Sequence, residues 1–287
     1  MMWRSVLFVP VLQERFLAKA AERGADAILL DLEASIAANR KSEARTALPD
    51  AVDRLTAQNQ DVLVRINILW RPALADLEVA VRPGVSAIQL PNCRSAADIV
   101  AVDQVMAEIE EENGLAPIGL IPIIESAQGV IESAEIASAS PRVKALTFGI
   151  EDYLADMESS PDPHVLTAAA LTIAHAARAA GVAPMVVPGT LADITDLDAF
   201  EAAVRRGRGM GSVGGYAVHP GQVAVLNSVF SPSPEDIEWA TRVVAAAAEA
   251  EAAGLGAVSL DGRMIDLPII LRAERLMERH ASLGGRA

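Results

Sequence analysis

The sequence predicts an α/β fold, a closed (β/α)8 TIM barrel with a C-terminal helical extension and a lid loop. Three observations predict it. Eight short apolar runs recur along the chain, alanine-rich segments of helical spacing separate them, and the chain has 287 residues, 52% of them hydrophobic. A chain of this size and composition buries one large core. A doubly wound open sheet is the alternative arrangement of the same elements.

The runs are RSVLFVP (4–10), DAILLDLE (26–33), DVLVRIN (61–67), VSAIQLP (85–91), IGLIPIIE (118–125), VKALTFGIED (143–152), APMVVPG (183–189) and GGYAVHP (214–220). Their hydrophobicity is continuous rather than alternating, as strands buried on both faces of a parallel sheet require. Between them, 13–23, 40–58, 95–112, 128–139, 165–180 and 196–207 have helical spacing and enough length to cross back over a sheet. Eight strand-then-helix units close a barrel.

After the eighth run, Ser233 and Pro234 suit an N-cap and a first helical position, with Glu235 and Asp236 in the first turn. A second helical pattern follows. The polar stretch from Asp261 to Asp266 between the two is more loop than eight units need, which fits a lid or a subunit contact. The expected division is therefore a barrel over 1–230 and an extension with a lid over 231–287, packed on its own or a neighbouring subunit.

Thirty-eight acidic against 24 basic residues give a formal charge of −14. Such a chain repels polyphosphate, and no Lys/Arg run offsets it, so no nucleic acid partner is expected. Charges such as Arg178 and Glu249 interrupt the apolar stretches before membrane-spanning length, so no membrane association is expected either. With one cysteine, Cys93, and no signal-peptide pattern at MMWRSVLFVP, the expected compartment is the cytoplasm.

Barrel active sites form at the C-terminal ends of the strands. There the sequence puts Asp31 and Glu33, Arg65 and Asn67, Glu125, Glu151 and Asp152, and His219. Any one such carboxylate, taken singly, reads better as a helix cap or the partner of a rim arginine. Their clustering on adjacent strands reads better as a site. Glu125 with Glu151 or Asp152 makes a hard-oxygen site for a magnesium ion, and Asp152 is preferred because consecutive extended residues point opposite ways. Arg65 offers a planar fork for a substrate carboxylate. His219, before Pro220, reads as a loop-fixing residue, and Cys93 as structural. GMGSVGG (209–215) precedes a strand rather than opening a helix, so it does not fit a dinucleotide fingerprint.

Taken in order, RSVLFVP, ERFLAKAAERGADAILLDLE, VRIN, IIESAQGV, LTFGIEDYLADM, AVHPGQVAVLN, FSPSPEDIEWA and LDGRMIDLPI resemble the citrate lyase beta subunit-like branch of the HpcH/HpaI aldolase family. The resemblance covers nearly the whole chain. It implies a magnesium-dependent carbon–carbon lyase acting on thioesters of coenzyme A, of the malyl-CoA, citramalyl-CoA or citryl-CoA type, in a homo-oligomer such as a trimer or hexamer. It further implies that Glu125 and Asp152 bind magnesium, Arg65 holds the keto-acid carboxylate with Glu33 in the substrate site, and Arg15 and Lys19 contact coenzyme A. Asp266, in the terminal M-I-D motif, is implied as an acid or base reaching a neighbouring subunit's site.

Four positions depart from the family pattern. Ala34 follows Glu33 where an acid is usual, Val11 stands for a glycine, Asn92 for a lysine, and Val187-Pro188-Gly189 replaces an acidic segment. These changes lie on the thioester side, so two alternatives stay open: an aldolase acting on free hydroxy acids without coenzyme A, and a non-catalytic binding or regulatory homologue.

Overall fold

A computed structural model describes residues 3–252, 254 and 258–284. It divides into two compact units, Met1–Phe230 and Ser231–Ala287.

The first unit is the eight-stranded barrel. Its strands are β1 (Ser5–Pro10), β2 (Ala27–Asp31), β3 (Asp61–Arg65), β4 (Val85–Leu90), β5 (Gly119–Ile124), β6 (Ala145–Phe148), β7 (Ala183–Met185) and β8 (Gly215–Ala217). All pair in parallel, in the order β7-β6-β5-β4-β3-β2-β1-β8. Both faces of each strand are buried, which explains the continuous apolar runs. Within β2, Ala27 and Leu29 join the barrel interior with Val6, Leu63 and Ile121, while Ile28 and Leu30 pack outward under the helices.

The seam between β7 and β8 has no strand ladder and is closed by a side chain. Buried Ser212 accepts from Val186 N–H at 2.9 Å and donates to Pro184 O at 3.1 Å, and Val213 N–H donates to Pro184 O at 2.9 Å. This accounts for part of the glycine-rich run. A Cβ at Gly214 would collide with the Trp3 carbonyl, so the chain passes β1 at a distance only glycine allows.

The crossover helices begin with α1 (Glu14–Leu17), α2 (Lys41–Thr56), α3 (Trp70–Ala80), α4 (Ala96–Asn113), α5 (Ala127–Ile131) and α6 (Ser133–Ser138). They continue with α7 (Ile150–Asp156), α8 (Pro163–Ala179), α9 (Leu197–Gly209) and α10 (Pro220–Phe230). Local chemistry sets several starts. Ser95 and Asp98 form a capping box on α4, and Asp162 and Asp196 accept backbone N–H groups at the starts of α8 and α9.

Four expectations change here. The segment 13–23 is one helical turn and a 3-10 turn, ended by Gly24 at φ 69°. The segment 128–139 is two short helices meeting at Glu132. Helix α3 has no counterpart among the segments marked from sequence. Finally, β6 stops at Phe148 and Gly149 is the N-cap of α7, so Glu151 and Asp152 occupy a helix's first turn rather than a strand end. Carboxylates there complement the positive end of the helix.

The second unit contains α11 (Pro234–Ala252), a hairpin of β9 (Val258–Leu260) and β10 (Arg263–Ile265), and α12 (Leu267–Gly284). Ser233 caps α11 as expected, its hydroxyl accepting from Asp236 N–H at 3.1 Å. The stretch 261–266 is thus the turn and second strand of a hairpin, and Asp266 leads into α12, its carbonyl accepting from Ile269 and Ile270 N–H. Ile265 packs with Ala240, Val243 and Ala273. Among the described residues, no helix is long and apolar enough to cross a membrane.

Candidate active site

The barrel's C-terminal mouth opens into a cavity of about 980 Å³, lined by Arg15, Lys19, Asp31, Arg65, Glu125, Glu151 and Asp152 among others. The strand ends bring Asp31, Arg65 and Glu125 there, the first turn of α7 brings Glu151 and Asp152, and the segment after β1, with α1, brings Arg15 and Lys19. Arg23, in the 3-10 turn that follows, lines the same wall.

Glu125 is 6% exposed, immediately after β5. Its carboxyl accepts the backbone N–H of Asn92, which sits at φ 47°, a left-handed conformation that asparagine tolerates better than most residues. Asp152 lines the same cavity, near enough for its charge to act on Glu125. Burial, then the nearby Asp152 charge, pushes Glu125 up to about 8, against the Asn92 hydrogen bond and the Arg65 charge. Gly149 makes this approach possible. A Cβ there would lie 2.9 Å from the Glu125 Cβ and would overlap its carboxylate.

Arg65 is held before any ligand arrives. Its Nε and Nη2 donate to Asp31 at 2.7 and 2.9 Å, its Nη1 lies 3.3 Å from Glu33, and its guanidinium stacks 4.8 Å from the Phe8 ring centre. Asp31 is itself fixed by N–H groups of Glu33 and Ser35, each at 2.9 Å. Despite the burial that opposes it, these donors and Arg65 hold the Asp31 carboxyl below the ordinary aspartate range. Glu33 shifts the other way through burial, against the pull of Arg65. It braces Arg65 and is not part of the cavity wall.

Glu151, the neighbour of Asp152, accepts from the Thr190 hydroxyl, which separates the two acids by partner. His219 Nδ1 accepts the Gly221 N–H at 3.1 Å, consistent with fixing the loop after β8. Cys93 is buried, and desolvation, with the Asp98 and Glu125 charges, raises its thiol to about 12, which makes it a poor nucleophile. Among the described residues no group of three or more His, Cys, Asp or Glu side chains gathers around a point.

Arg65, Glu125, Asp152, Arg15 and Lys19, marked from sequence, thus share one cavity, while Asp266 belongs to the second unit. Sequence reading gave no role to Asp31, Gly149 or the Asn92 backbone. Asp31 was visible as a strand-end acid, and the glycine of G-x-x-D was visible as part of a motif. The Asn92 contact had no local signal, because it joins β4 to β5.

A parallel barrel whose mouth gathers an arginine, a buried carboxyl and a facing aspartate into one cavity is an enzyme of the (β/α)8 class. The HpcH/HpaI aldolase/citrate lyase family matches residues 4–220. The citrate lyase subunit beta of Leuconostoc mesenteroides subsp. cremoris is 34% identical over 281 residues, covering 96% of this chain and 92% of the relative. The L-malyl-CoA/beta-methylmalyl-CoA lyase of Cereibacter sphaeroides (strain ATCC 17025 / ATH 2.4.3) is 34% identical over 302 residues, covering 96% and 94%. Among solved structures, the protein CitE from Mycobacterium tuberculosis, in complex with magnesium, acetoacetate and coenzyme A, superposes with a TM-score of 0.75 at 30% identity, covering 96% of this chain and 97% of that one. The chain belongs to the HpcH/HpaI aldolase/citrate lyase family, and it is a lyase.

Proposed function

We propose that this lyase is magnesium-dependent and breaks or forms a carbon–carbon bond in a hydroxyacyl-coenzyme A of the malyl, citramalyl or citryl type, with acetyl-CoA and a keto acid on the other side of the reaction. The buried Glu125 carboxyl facing Asp152 carries this reading. Two facing carboxyl groups, one of them desolvated and so kept protonated, suit a hard divalent cation that takes the proton's place while water and an anionic substrate fill its other positions. The magnesium-containing structural neighbour and the malyl-CoA lyase relative support the same chemistry.

Glu125 and Asp152 hold the ion in this reading. When bound, magnesium supplies positive charge to the oxygens of the keto-acid fragment. Arg65, braced by Asp31 and Glu33, takes the keto-acid carboxylate on the guanidinium edge that Asp31 leaves open. Arg15 and Lys19, on the same cavity wall, meet the phosphates of coenzyme A. In cleavage the substrate hydroxyl gives its proton to water, the carbon–carbon bond breaks to leave the keto acid and the thioester enolate, and the enolate carbon takes a proton. Asp266 gives that proton, and removes it again in condensation, from the 231–287 unit of a neighbouring subunit in a trimer or hexamer. The enzyme works in the cytoplasm, a reading supported by its single, buried cysteine.

Incubating the protein with magnesium, acetyl-CoA and glyoxylate, pyruvate or oxaloacetate, with mass spectrometry of the thioesters, tests this. A hydroxyacyl-CoA product that disappears with a chelator is expected. Cleavage of free malate, citramalate or citrate without any thioester product would overturn the coenzyme A assignment.

A further inference from the structure

Gln89 lies near the end of β4, on the cavity wall, and is 1% exposed. In the barrel register it is the direct neighbour of Arg65 on β3, and Ile121 of β5 flanks it on the other side. Paired residues of a parallel ladder project to the same face, so the amide and the guanidinium both enter the barrel. Yet the Gln89 Oε1 is buried without a hydrogen-bond partner. An orphaned buried amide lowers stability, whereas leucine in its place fills similar space and leaves nothing unpaired. A ligand that bonds to the amide accounts for a polar side chain at that position.

Arg65 indicates what the ligand is. Its Nε and Nη2 are engaged by Asp31 and its Nη1 approaches Glu33, so one guanidinium edge at most remains for a newcomer. A carboxylate presents two oxygens with about four lone-pair directions. The partial fork leaves part of that capacity unmet; Tyr216 also lines this cavity, with its hydroxyl buried and unpaired, but Phe8, Ile123 and Met185 on the nearby walls have no side-chain donor. The Gln89 amide does. Its NH₂ group is the donor, because the orphaned oxygen is out of solvent reach and is an acceptor like the carboxylate itself.

We infer that Gln89 is a second binding residue for the keto-acid carboxylate, donating from its amide beside Arg65 and fixing that fragment in the site. This rests on the lyase reading above.

The test compares wild type with Q89L and Q89E. Q89L is expected to raise the KM for the keto acid about 10- to 100-fold, the loss of a hydrogen bond to a charged group, while the KM for acetyl-CoA stays unchanged. Q89E is expected to be worse than Q89L because it repels the carboxylate. Thermal unfolding of the ligand-free Q89L protein should occur at the wild-type temperature or above, since an unpaired polar group has been removed. An unchanged keto-acid KM in Q89L overturns the inference, and so does a lowered unfolding temperature, which would mean that the amide is bonded within the fold. A wild type inactive with every thioester condemns the coenzyme A thioester reading instead. Gln89 is then judged by titrating oxaloacetate into magnesium-loaded wild type and Q89L, where weaker binding to Q89L upholds the inference and equal heats overturn it.

Discussion

Asp31 holds Arg65 through Nε and Nη2, on neighbouring strands whose register places the two residues side by side. The guanidinium therefore meets a ligand in a fixed orientation instead of being ordered by it, which lowers the entropy cost of binding. Asp31→Asn keeps the shape and removes the charge. The expected result is a tenfold or greater rise in the KM for the keto acid with a smaller change for acetyl-CoA, together with about 2 kcal/mol less stability from the weakened buried pair, read by kinetics and urea unfolding.

The raised Glu125 value has a definite sign. In the metal-free protein the folded state keeps a proton on Glu125 up to about pH 8, whereas the unfolded chain releases it near the ordinary glutamate value. This group therefore favours folding most below the unfolded value, and its contribution is lost as pH rises from there to about 8. Magnesium must displace that proton, so its affinity should rise about tenfold per pH unit up to that value and then level off. Thermal unfolding with and without magnesium at pH 6 and pH 8 measures this. A larger metal-induced shift at pH 8 is expected, and Glu125→Gln should abolish the shift at both.

Gly149 gives Glu125 the space to face Asp152. In Gly149→Ala the new methyl group displaces that carboxylate, at a cost of about 1–3 kcal/mol in stability. Magnesium affinity should fall at least tenfold by calorimetry, and an unaltered affinity would refute this account of the glycine.

Asn92 holds Glu125 from the opposite side with its backbone, from a left-handed conformation. The important property is the backbone shape and not the amide. Asn92→Gly should therefore retain magnesium binding, while Asn92→Val, whose branched side chain disfavours that conformation, should lose tenfold or more in the same titration.

For Asp266, the expectation is reduced turnover with unchanged magnesium affinity in Asp266→Asn. If the residue acts across subunits, mixing Asp266→Asn with Arg65→Ala protein should restore part of the activity through hybrid oligomers that contain one intact site. Mixtures as inactive as their parents would place Asp266 in its own chain's site.

Periodicity alone was enough to read the barrel, because a strand covered on both faces has to be apolar at every position, and such runs as DAILLDL and LIPII are visible without any partner. Strand-end chemistry was legible for the same reason: a charge that interrupts an apolar run marks where the core stops, and Arg65 and Glu125 stand at such points, whereas Asp152 falls in the first turn of α7. Local sequence did not contain the pairings between strands. Asp31 with Arg65, Asn92 with Glu125, and Gly149 against Glu125 depend on register and on backbone distances of a few ångströms between segments 24 to 34 residues apart. Ser212 at the seam and the helical start at Gly149 belong to the same class. Hydrophobic pattern determines which residues are inside, while tertiary packing decides which buried polar groups meet, and those meetings set the charge and orientation on which the site's chemistry depends.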